Sequence, residues 1–249
     1  MINFNGEVVL LTGSSGHIGT TTMDLFVKRG AKVICTSRSY PSTALQNIDF
    51  DVNPVNITLD ITNEETVNKV FDLTIEKCGK LDVVVNIAGI LNTKSILDLT
   101  EADWDKTLAV NVKGTFFICK AAMQQMIKQK SGCIINLASI SGKVGGVLAG
   151  ADYSSSKAAI ICLTKSLAKA GAPYGIRVNS VAPGAIYSPM LDQYYEDNAD
   201  KMAGYEADHP MGKFGEAIDV ANSILFLASE ESAYITGTCL DVNGGTLMS

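Results

Sequence analysis

A tyrosine and a lysine four residues apart could together move a proton. Tyr153 and Lys157 lie in the segment ADYSSSKAAIICLTKSLA, residues 151–168, whose apolar positions predict a helix. On a helix this spacing places both side chains on one face, one turn apart. An unperturbed phenol has a pKa of about 10, and a nearby ammonium lowers it by favouring the phenolate. Such a pair could pass a proton to or from an alcohol or a carbonyl; the alternative is an ordinary polar helix face.

A glycine-rich turn near the start of the chain could hold a phosphate group. Residues 8–11 read VVLL, residues 12–19 read TGSSGHIG, and a helical pattern then runs to Gly30. In such strand-turn-helix units, glycines let the backbone approach a pyrophosphate at the helix N-terminus. His17 could donate a hydrogen bond to that phosphate or simply tolerate the turn. The turn residues predicted to contact a cofactor are Gly13, Ser15, Gly16, His17, Ile18 and Gly19.

The end of the second predicted strand, residues 32–36, bears on which cofactor binds. NAD-binding folds place an acidic residue there, and its carboxylate holds the ribose 2′-hydroxyl. Here Ser37 and Arg38 stand instead. A guanidinium can bind a 2′-phosphate through charge-assisted hydrogen bonds. We therefore favour NADP(H) over NAD(H), with a solvated loop arginine as the alternative interpretation.

Apolar strands and helical patterns alternate along the rest of the chain. Further strands are predicted at residues 55–59, 81–85, 133–137 and 175–181. One helical region is predicted from Thr100 through Asn111 towards Lys130. This alternation predicts an α/β fold over residues 1–249, a single-domain Rossmann fold with a doubly wound parallel sheet of about seven strands and helices on both faces. Ligands bind such sheets outside the carboxyl ends of the strands, where this chain has Gly13, Arg38, Asp60, Asn86, Ser139 and Pro183.

Composition and charge argue against several other classes of protein. The chain has 249 residues, 47% of them hydrophobic, and a net charge of -6 without a Lys/Arg-rich run. This disfavours nucleic acid and an anionic membrane as main partners. The six cysteines form no CxxC pair and the two histidines are far apart in sequence, so we expect no metal site. A signal segment and a membrane span are both lacking in the sequence, and we expect a cytoplasmic protein.

Together these motifs resemble the short-chain dehydrogenase/reductase family, in its single-domain branch, over nearly the whole chain. NIAG at residues 86–89 resembles the family's NNAG, and DVNGG at residues 241–245 resembles its C-terminal strand. The resemblance implies a catalytic tetrad of Asn111, Ser139, Tyr153 and Lys157. Beside the turn, Ser37 and Arg38, it implies cofactor contacts at Asp60, Ile61, Asn86, Ala88, Gly89, Tyr153, Lys157, Pro183, Gly184, Ile186 and Ser188.

The resemblance also implies a reaction, in which a hydride passes between a nicotinamide and a carbon of a small carbonyl or alcohol substrate. Tyr153 would be the general acid in reduction and the general base in oxidation. Lys157 would lower the pKa of Tyr153 and bind the nicotinamide ribose. Ser139 would hold the substrate oxygen, and Asn111 would order a water that links Lys157 to solvent.

Other functions within and outside this family stay open. The TGxxGxxG spacing of the turn is that of the family's longer branch, which includes sugar-nucleotide epimerases. Relatives with this layout also include 3-oxoacyl-(acyl-carrier-protein) reductases. Lys128 and Lys130 could hold the acidic carrier, but Tyr174 stands where a second basic residue is expected, so we rank a small carbonyl, alcohol or sugar substrate higher. The non-enzyme alternative is a binding protein that senses NADP.

Two further expectations concern closure and assembly. Residues 185–212 are rich in tyrosine and acidic residues and are predicted to form a substrate lid. The resemblance implies a homotetramer or a homodimer, built through the apolar helical segments at residues 113–126 and 158–167.

Overall fold

The fold is built on one parallel β-sheet. A computed structural model describes residues 2–146, 149–188 and 209–248 of the chain. The strands in those residues are β1 (Val8–Thr12), β2 (Lys32–Ser37), β3 (Val55–Thr58), β4 (Val83–Asn86), β5 (Gly132–Leu137), β6 (Ile176–Pro183) and β7 (Cys239–Val242). Every neighbouring pair is parallel, and the order across the sheet is β3-β2-β1-β4-β5-β6-β7.

Helices connect the strands and cover the sheet. They are α1 (His17–Lys28), α2 (Glu64–Cys78), α3 (Glu101–Leu108), α4 (Thr115–Gln129), α5 (Ser141–Val144), α6 (Ala151–Gly171) and α7 (Ala217–Ala228). A π-helical segment, Ala109–Gly114, joins α3 to α4. Short 3₁₀ turns lie at Leu45–Asn47, Ala172–Tyr174 and Glu230–Ser232.

The central strands are apolar on both faces, as a sheet covered on both sides requires. In β1, Val9, Leu10 and Leu11 are fully buried. Val9 and Leu11 belong to a core with Phe26 of α1 and Val220 of α7. Leu10 belongs to a second core, on the opposite face, with side chains from α2, α4 and α6. The predicted α/β architecture, doubly wound with helices on both faces, is therefore confirmed.

The register of the strands brings their carboxyl ends to one edge of the sheet. Thr12, the last residue of β1, is paired with Thr36 of β2 and with Asn86 of β4. Asn86 is in turn paired with Asn136 of β5. Because all strands run the same way, the loops that follow β1, β2, β4 and β5 open on the same side of the molecule.

The helical region predicted from Thr100 towards Lys130 is present, but it changes from α-helix to π-helix and back. Thr100 and Asp103 form a capping box that starts α3, but the π-helical segment replaces the regular turn before α4 begins. A methyl group on Gly114 would lie 2.6 Å from Cγ1 of Ile61, so this segment packs closely on the residues that follow β3. π-Helical turns are rare and are frequent at functional sites.

The predicted lid lies mostly outside the described residues, which stop at residue 188 and resume at residue 209. At its edges, Tyr187 N donates to the carbonyl of Gly215 at 2.8 Å, and Ile186 forms an isolated bridge with Gly215. The prediction of a lid at residues 185–212 therefore stays a prediction. Among the helices that are described, we find none with the length and apolar content needed to cross a bilayer.

Candidate active site

A cleft of about 730 Å³ opens at the carboxyl edge of the sheet. Its lining includes every residue predicted to bind the cofactor except Asn86, and every predicted catalytic residue except Asn111. The sequence-predicted residues that line it are Gly13, Ser15, Gly16, His17, Ile18, Gly19, Ser37, Arg38, Asp60, Ile61, Ala88, Gly89, Ser139, Tyr153, Lys157, Pro183, Gly184, Ile186 and Ser188. Two sets of residues, far apart in sequence, thus share one cavity.

Two glycines allow the turn after β1 to fold tightly. Gly13 has a φ of +70°, and a methyl group there would lie 2.5 Å from the backbone nitrogen of Ala88. A methyl group on Gly19 would overlap the carbonyl oxygen of Gly13. Gly16 differs, because the nearest atom to a methyl group there would be that same oxygen, at 3.5 Å. A side chain therefore has no room at Gly13 or Gly19, whereas there is room for one at Gly16, which lines the cleft.

The N-terminus of α1 offers backbone donors to this cleft. Gly16 is its N-cap and contributes no capping side chain, and the first turn contains no acidic residue. The first bond of the helix is from Thr20 N to the Gly16 carbonyl, at 2.8 Å. The preceding N–H groups have no intrahelical acceptor, which is the arrangement that binds phosphate in dinucleotide folds. The turn therefore fits a pyrophosphate. His17 is exposed at the first position of α1, which is compatible with both of its predicted roles.

The end of β2 supplies hydroxyl and guanidinium groups. Ser37 is buried, and its hydroxyl lies 2.6 Å from that of Ser15 in the glycine turn. Arg38 is exposed beside it, and in residues 2–146, 149–188 and 209–248 no carboxylate lies within ion-pair distance of its guanidinium. Partial burial opposes ionisation of Asp60, but hydrogen bonds from Thr62 and the charge of Arg38 outweigh it and lower the pKa of Asp60. These groups fit the adenosine end of a dinucleotide.

The structure brings Tyr153 and Ser139 together across the cleft. Tyr153 is in the first turn of α6, and Ser139 comes two residues after the end of β5. Burial raises the pKa of Tyr153, and a hydrogen bond with the Ser139 hydroxyl opposes this rise without cancelling it. Desolvation is thus the dominant influence on this phenol, and a lowering of the Tyr153 pKa by Lys157 stays a prediction.

Lys157 lies one turn further along α6, with its charge taken out of water. Its ammonium donates to the carbonyl of Leu137 at 2.6 Å and lies 5.6 Å from the centre of the Tyr153 ring. Burial lowers the pKa of Lys157 from 10.5 to about 8. The predicted pair is therefore on one helix face and in contact, but the lysine is held by the end of β5 as well as facing the tyrosine.

Asn111 lies behind the cleft wall rather than in it. It is in the π-helical segment, and only 1% of it is exposed. Its Oδ1 accepts from Ile90 N at 2.8 Å, and its Nδ2 donates to the carbonyl of Ile90 at 2.9 Å and to Ser156 Oγ at 3.0 Å. The side-chain amide is therefore fully used in joining the loop after β4 to α6. A role for Asn111 in ordering a water stays a prediction.

Asn86 does not line the cleft. It is buried, and its Nδ2 donates to Oδ1 of Asn136 at 2.9 Å, across the β4–β5 pair. The side-chain amide is turned into the sheet and joins two strands, and a cofactor contact of Asn86 stays a prediction. Sequence reasoning had no signal for several apolar lining residues, which lie next to predicted ones. The cleft residues outside our predicted set are Thr36, Ser39, Leu59, Ile87, Ile90, Leu91, Val110, Leu137, Ala138 and Tyr187.

Within the described part of the chain, no three His, Cys, Asp or Glu side chains are grouped so that they could hold a metal ion. The six cysteines are free thiols, and burial raises the pKa of Cys119 and of Cys133 to about 12. The polar side chains that line the cleft carry hydroxyl, phenol, ammonium, guanidinium, imidazole and carboxyl groups.

Comparison with known proteins agrees with this geometry. A family model described as enoyl-(acyl carrier protein) reductase matches residues 13–246. The 3-oxoacyl-(acyl-carrier-protein) reductase FabG of Aquifex aeolicus (strain VF5) is 37% identical over 248 residues, which are 98% of this chain and 98% of that protein. The enzyme of the same name from Escherichia coli (strain K12) is 36% identical over 247 residues, which are 99% of this chain and 100% of that protein.

Solved structures give the same result. ElxO with NADP bound superposes with a TM-score of 0.87 at 35% identity, over 96% of this chain and 98% of that chain. The aldohexose dehydrogenase AldT of Thermoplasma acidophilum, in ligand-free form, superposes with a TM-score of 0.87 at 33% identity, over 98% of this chain and 94% of that chain. The chain therefore belongs to the short-chain dehydrogenase/reductase family, a family of NAD(P)-dependent oxidoreductases.

Proposed function

We propose that this protein catalyses hydride transfer between NADP(H) and a small carbonyl or alcohol substrate, with Tyr153 as the general acid and base. One observation carries the proposal. The hydrogen-bonded pair of Tyr153 and Ser139 lies in the same cleft as the N-terminus of α1, whose backbone donors are unused. A phosphate-binding turn and a proton donor in one cavity are what a nicotinamide-dependent reaction on an oxygen needs.

Ser139, Tyr153 and Lys157 have separate roles in the proposed reaction. The bound nicotinamide supplies or accepts the hydride. Ser139 donates to the substrate oxygen and holds it near the Tyr153 hydroxyl. In reduction Tyr153 gives its proton to that oxygen, and its raised pKa keeps it in the acid form at neutral pH. The nearby ammonium of Lys157 stabilises the phenolate that is left.

Arg38 and Ser37 support NADP(H) rather than NAD(H). Both lie at the end of β2 and line the cleft, and Arg38 has no ion-pair partner among the described residues. An acidic residue at this position would repel a 2′-phosphate. The guanidinium of Arg38 and the hydroxyls of Ser37 and Ser15 would attract it. ElxO, a structural relative, binds NADP.

The test is nicotinamide absorbance of the purified protein with NADPH, and then with NADH, against ketones, aldoses and an acyl thioester. We expect oxidation of NADPH at least tenfold faster than that of NADH at equal low concentrations, because a charge-assisted contact contributes roughly 1.5–3 kcal/mol. Preference for NADH would reject the cofactor assignment. Tight cofactor binding with no turnover on any substrate would favour the sensor alternative, and retention of cofactor through purification with no net absorbance change would favour an epimerase.

A second candidate is reduction of a 3-oxoacyl thioester. Two of the relatives named above are 3-oxoacyl-(acyl-carrier-protein) reductases. The apolar cleft residues Ile90, Leu91 and Tyr187 would suit an acyl chain. Tyr174, 43% exposed, leaves fewer cations for an acidic carrier than the family pattern provides. Faster turnover of a carrier-linked thioester than of its small thioester mimic would establish this candidate.

A homotetramer or homodimer and a cytoplasmic location are further proposals. Phe116, on α4, is 42% exposed and lies against Phe117, with 5.9 Å between ring centres. An exposed aromatic side chain on one of the two helical segments expected at the interface supports self-association. Light scattering of the wild type and of Phe116→Lys would test it, and a monomer in both would reject it.

A further inference from the structure

The loop that follows β4 is fastened at two places. The first is Ile90, whose backbone N–H and carbonyl both bond the side chain of Asn111. The second is Asn92, whose carbonyl accepts from Gly150 N at 2.7 Å. Leu91 lies between them, lines the cleft and is 58% exposed. The two fastenings thus flank an exposed apolar side chain at the cleft.

The second fastening is completed by a buried carboxylate. Asp152 immediately precedes Tyr153 and is 0% exposed. Its Oδ2 accepts from Asn92 Nδ2 at 3.1 Å and from Thr107 Oγ1 at 2.6 Å. One oxygen therefore joins the loop after β4, the end of α3 and the first turn of α6. A buried charged acceptor with neutral donors forms stronger hydrogen bonds than a neutral one.

The other oxygen of this carboxylate has no partner. Asp152 Oδ1 is buried without a hydrogen bond. A methyl group on Gly150 would lie 2.6 Å from it, 3.0 Å from the carbonyl oxygen of Asn92 and 3.4 Å from that of Lys94. Gly150 N–H donates to the Asn92 carbonyl, but no described donor reaches Asp152 Oδ1. Burying an oxygen without a hydrogen-bond partner costs stability.

We propose that Asp152 and Asn92 form a clamp that positions Leu91 as the wall of the substrate site, so that the preferred substrate carries an apolar group beside its carbonyl. The inference rests on the proposed function and narrows its substrate. Asp152 and Asn92 are positioning residues, and Leu91 is the residue that contacts the substrate. Because Asp152 is adjacent to Tyr153, the clamp fixes the wall relative to the proton donor.

The clamp is tested by exchanging the donor and the acceptor of its Asn92–Asp152 hydrogen bond. Asn92→Asp places a second carboxylate against Asp152 and removes the donor. We expect kcat/KM for a ketone with an alkyl substituent to fall tenfold or more, and KM for NADPH to change less than twofold, because the cofactor contacts lie elsewhere in the cleft. Combining Asn92→Asp with Asp152→Asn restores one donor and one acceptor at 3.1 Å, and we expect it to recover most of the loss.

One single variant serves as a matched control. Ser154→Ala removes the other buried unpartnered oxygen of the same helical turn and touches no clamp atom, so we expect unchanged kinetics. If Ser154→Ala lowers kcat/KM as much as Asn92→Asp does, the effect is a general loosening of the start of α6 and the clamp is rejected.

The substrate class is tested on Leu91 itself. In a series of methyl ketones of increasing chain length, each added methylene should raise kcat/KM of the wild type by about two- to fourfold until the wall is covered. Leu91→Ser should flatten this series while leaving the shortest ketone within threefold. A flat series in the wild type, or no recovery in the Asn92→Asp, Asp152→Asn double variant, would overturn the inference. Loss of the proposed function would instead appear as no turnover of any ketone by the wild type.

Discussion

The two halves of the cleft are made in different ways. The half at the ends of β1, β2 and β3 presents backbone N–H groups and exposed side chains such as Ser15 and Arg38. The half at the ends of β4, β5 and β6 carries buried polar groups, since Ser139 and Lys157 are 9% and 4% exposed, and Asn111, behind its wall, is 1% exposed. The first half meets its ligand with groups already in water, whereas the second keeps polar groups desolvated and depends on hydrogen bonds to neighbouring elements.

In the buried half of the cleft, the requirements of stability and of activity conflict. Desolvation raises the pKa of Tyr153 and lowers that of Lys157, so both are held away from their charged forms. Holding a charged lysine out of water costs the fold stability. We therefore expect variants of charged groups in the buried half to change activity and stability independently, and variants of exposed residues in the other half to change ligand binding alone.

The largest expected effect is that of Tyr153→Phe, which removes the proton donor and keeps the ring. We expect kcat to fall by a factor of about 10²–10⁴, the usual contribution of a general acid. Binding of NADPH, followed by its fluorescence, should stay within twofold, because the turn and the end of β2 are untouched. A variant with wild-type kcat would show that another group transfers the proton.

Lys157→Met should come next, with a fall in kcat of about a hundredfold and a gain in stability. The lowered pKa, from 10.5 to about 8, means that protonated Lys157 destabilises the cofactor-free fold at neutral pH. This burial cost is on the order of 3–4 kcal/mol, at about 1.4 kcal/mol for each pKa unit. Met removes this cost and fills a similar volume.

The pH dependence gives the sign of this effect. Between pH 8 and 10.5 the unfolded lysine is protonated and the folded one is not, so wild-type stability rises with pH in this window. The advantage of Lys157→Met in urea unfolding should therefore be greatest below pH 8 and shrink towards pH 10.5. An advantage that is constant across this range would contradict the assigned burial cost.

A smaller, selective effect is expected for Arg38→Leu in the exposed half. Loss of a charge-assisted contact should raise KM for NADPH by about ten- to a hundredfold and leave KM for NADH within threefold. The thermal midpoint of the cofactor-free chain should not change, because Arg38 is exposed and unpaired among the described residues. An equal rise in KM for both cofactors would show that Arg38 contacts a part of the cofactor that NADPH and NADH share.

The same contrast explains what the sequence could predict. The strands, the glycine turn and the spacing of Tyr153 and Lys157 follow from local patterns, because a strand end or a helical spacing depends on nearby residues. The π-helical segment around Asn111, the sheet-facing amide of Asn86 and the direction of the pKa of Tyr153 depend on partners far along the chain. No local pattern specifies burial or those contacts, so the exposed half was predicted more completely than the buried one.

The smallest expected effect is that of Gly16→Ala, and a second glycine of the same turn, Gly13, gives the comparison within the exposed half. Gly16 has φ of -80°, which any residue can adopt, and an added methyl group would be in ordinary contact 3.5 Å from Gly13 O. Gly16→Ala should therefore keep the thermal midpoint and raise KM for NADPH severalfold, because the methyl group enters the cleft. Gly13→Ala should instead lower stability by about 1–3 kcal/mol, since its φ is +70° and the backbone of Ala88 occupies the space. If Gly16→Ala binds NADPH as tightly as the wild type, the pyrophosphate does not approach the backbone at Gly16. The pyrophosphate would then have to contact the first backbone N–H groups of α1 from another direction.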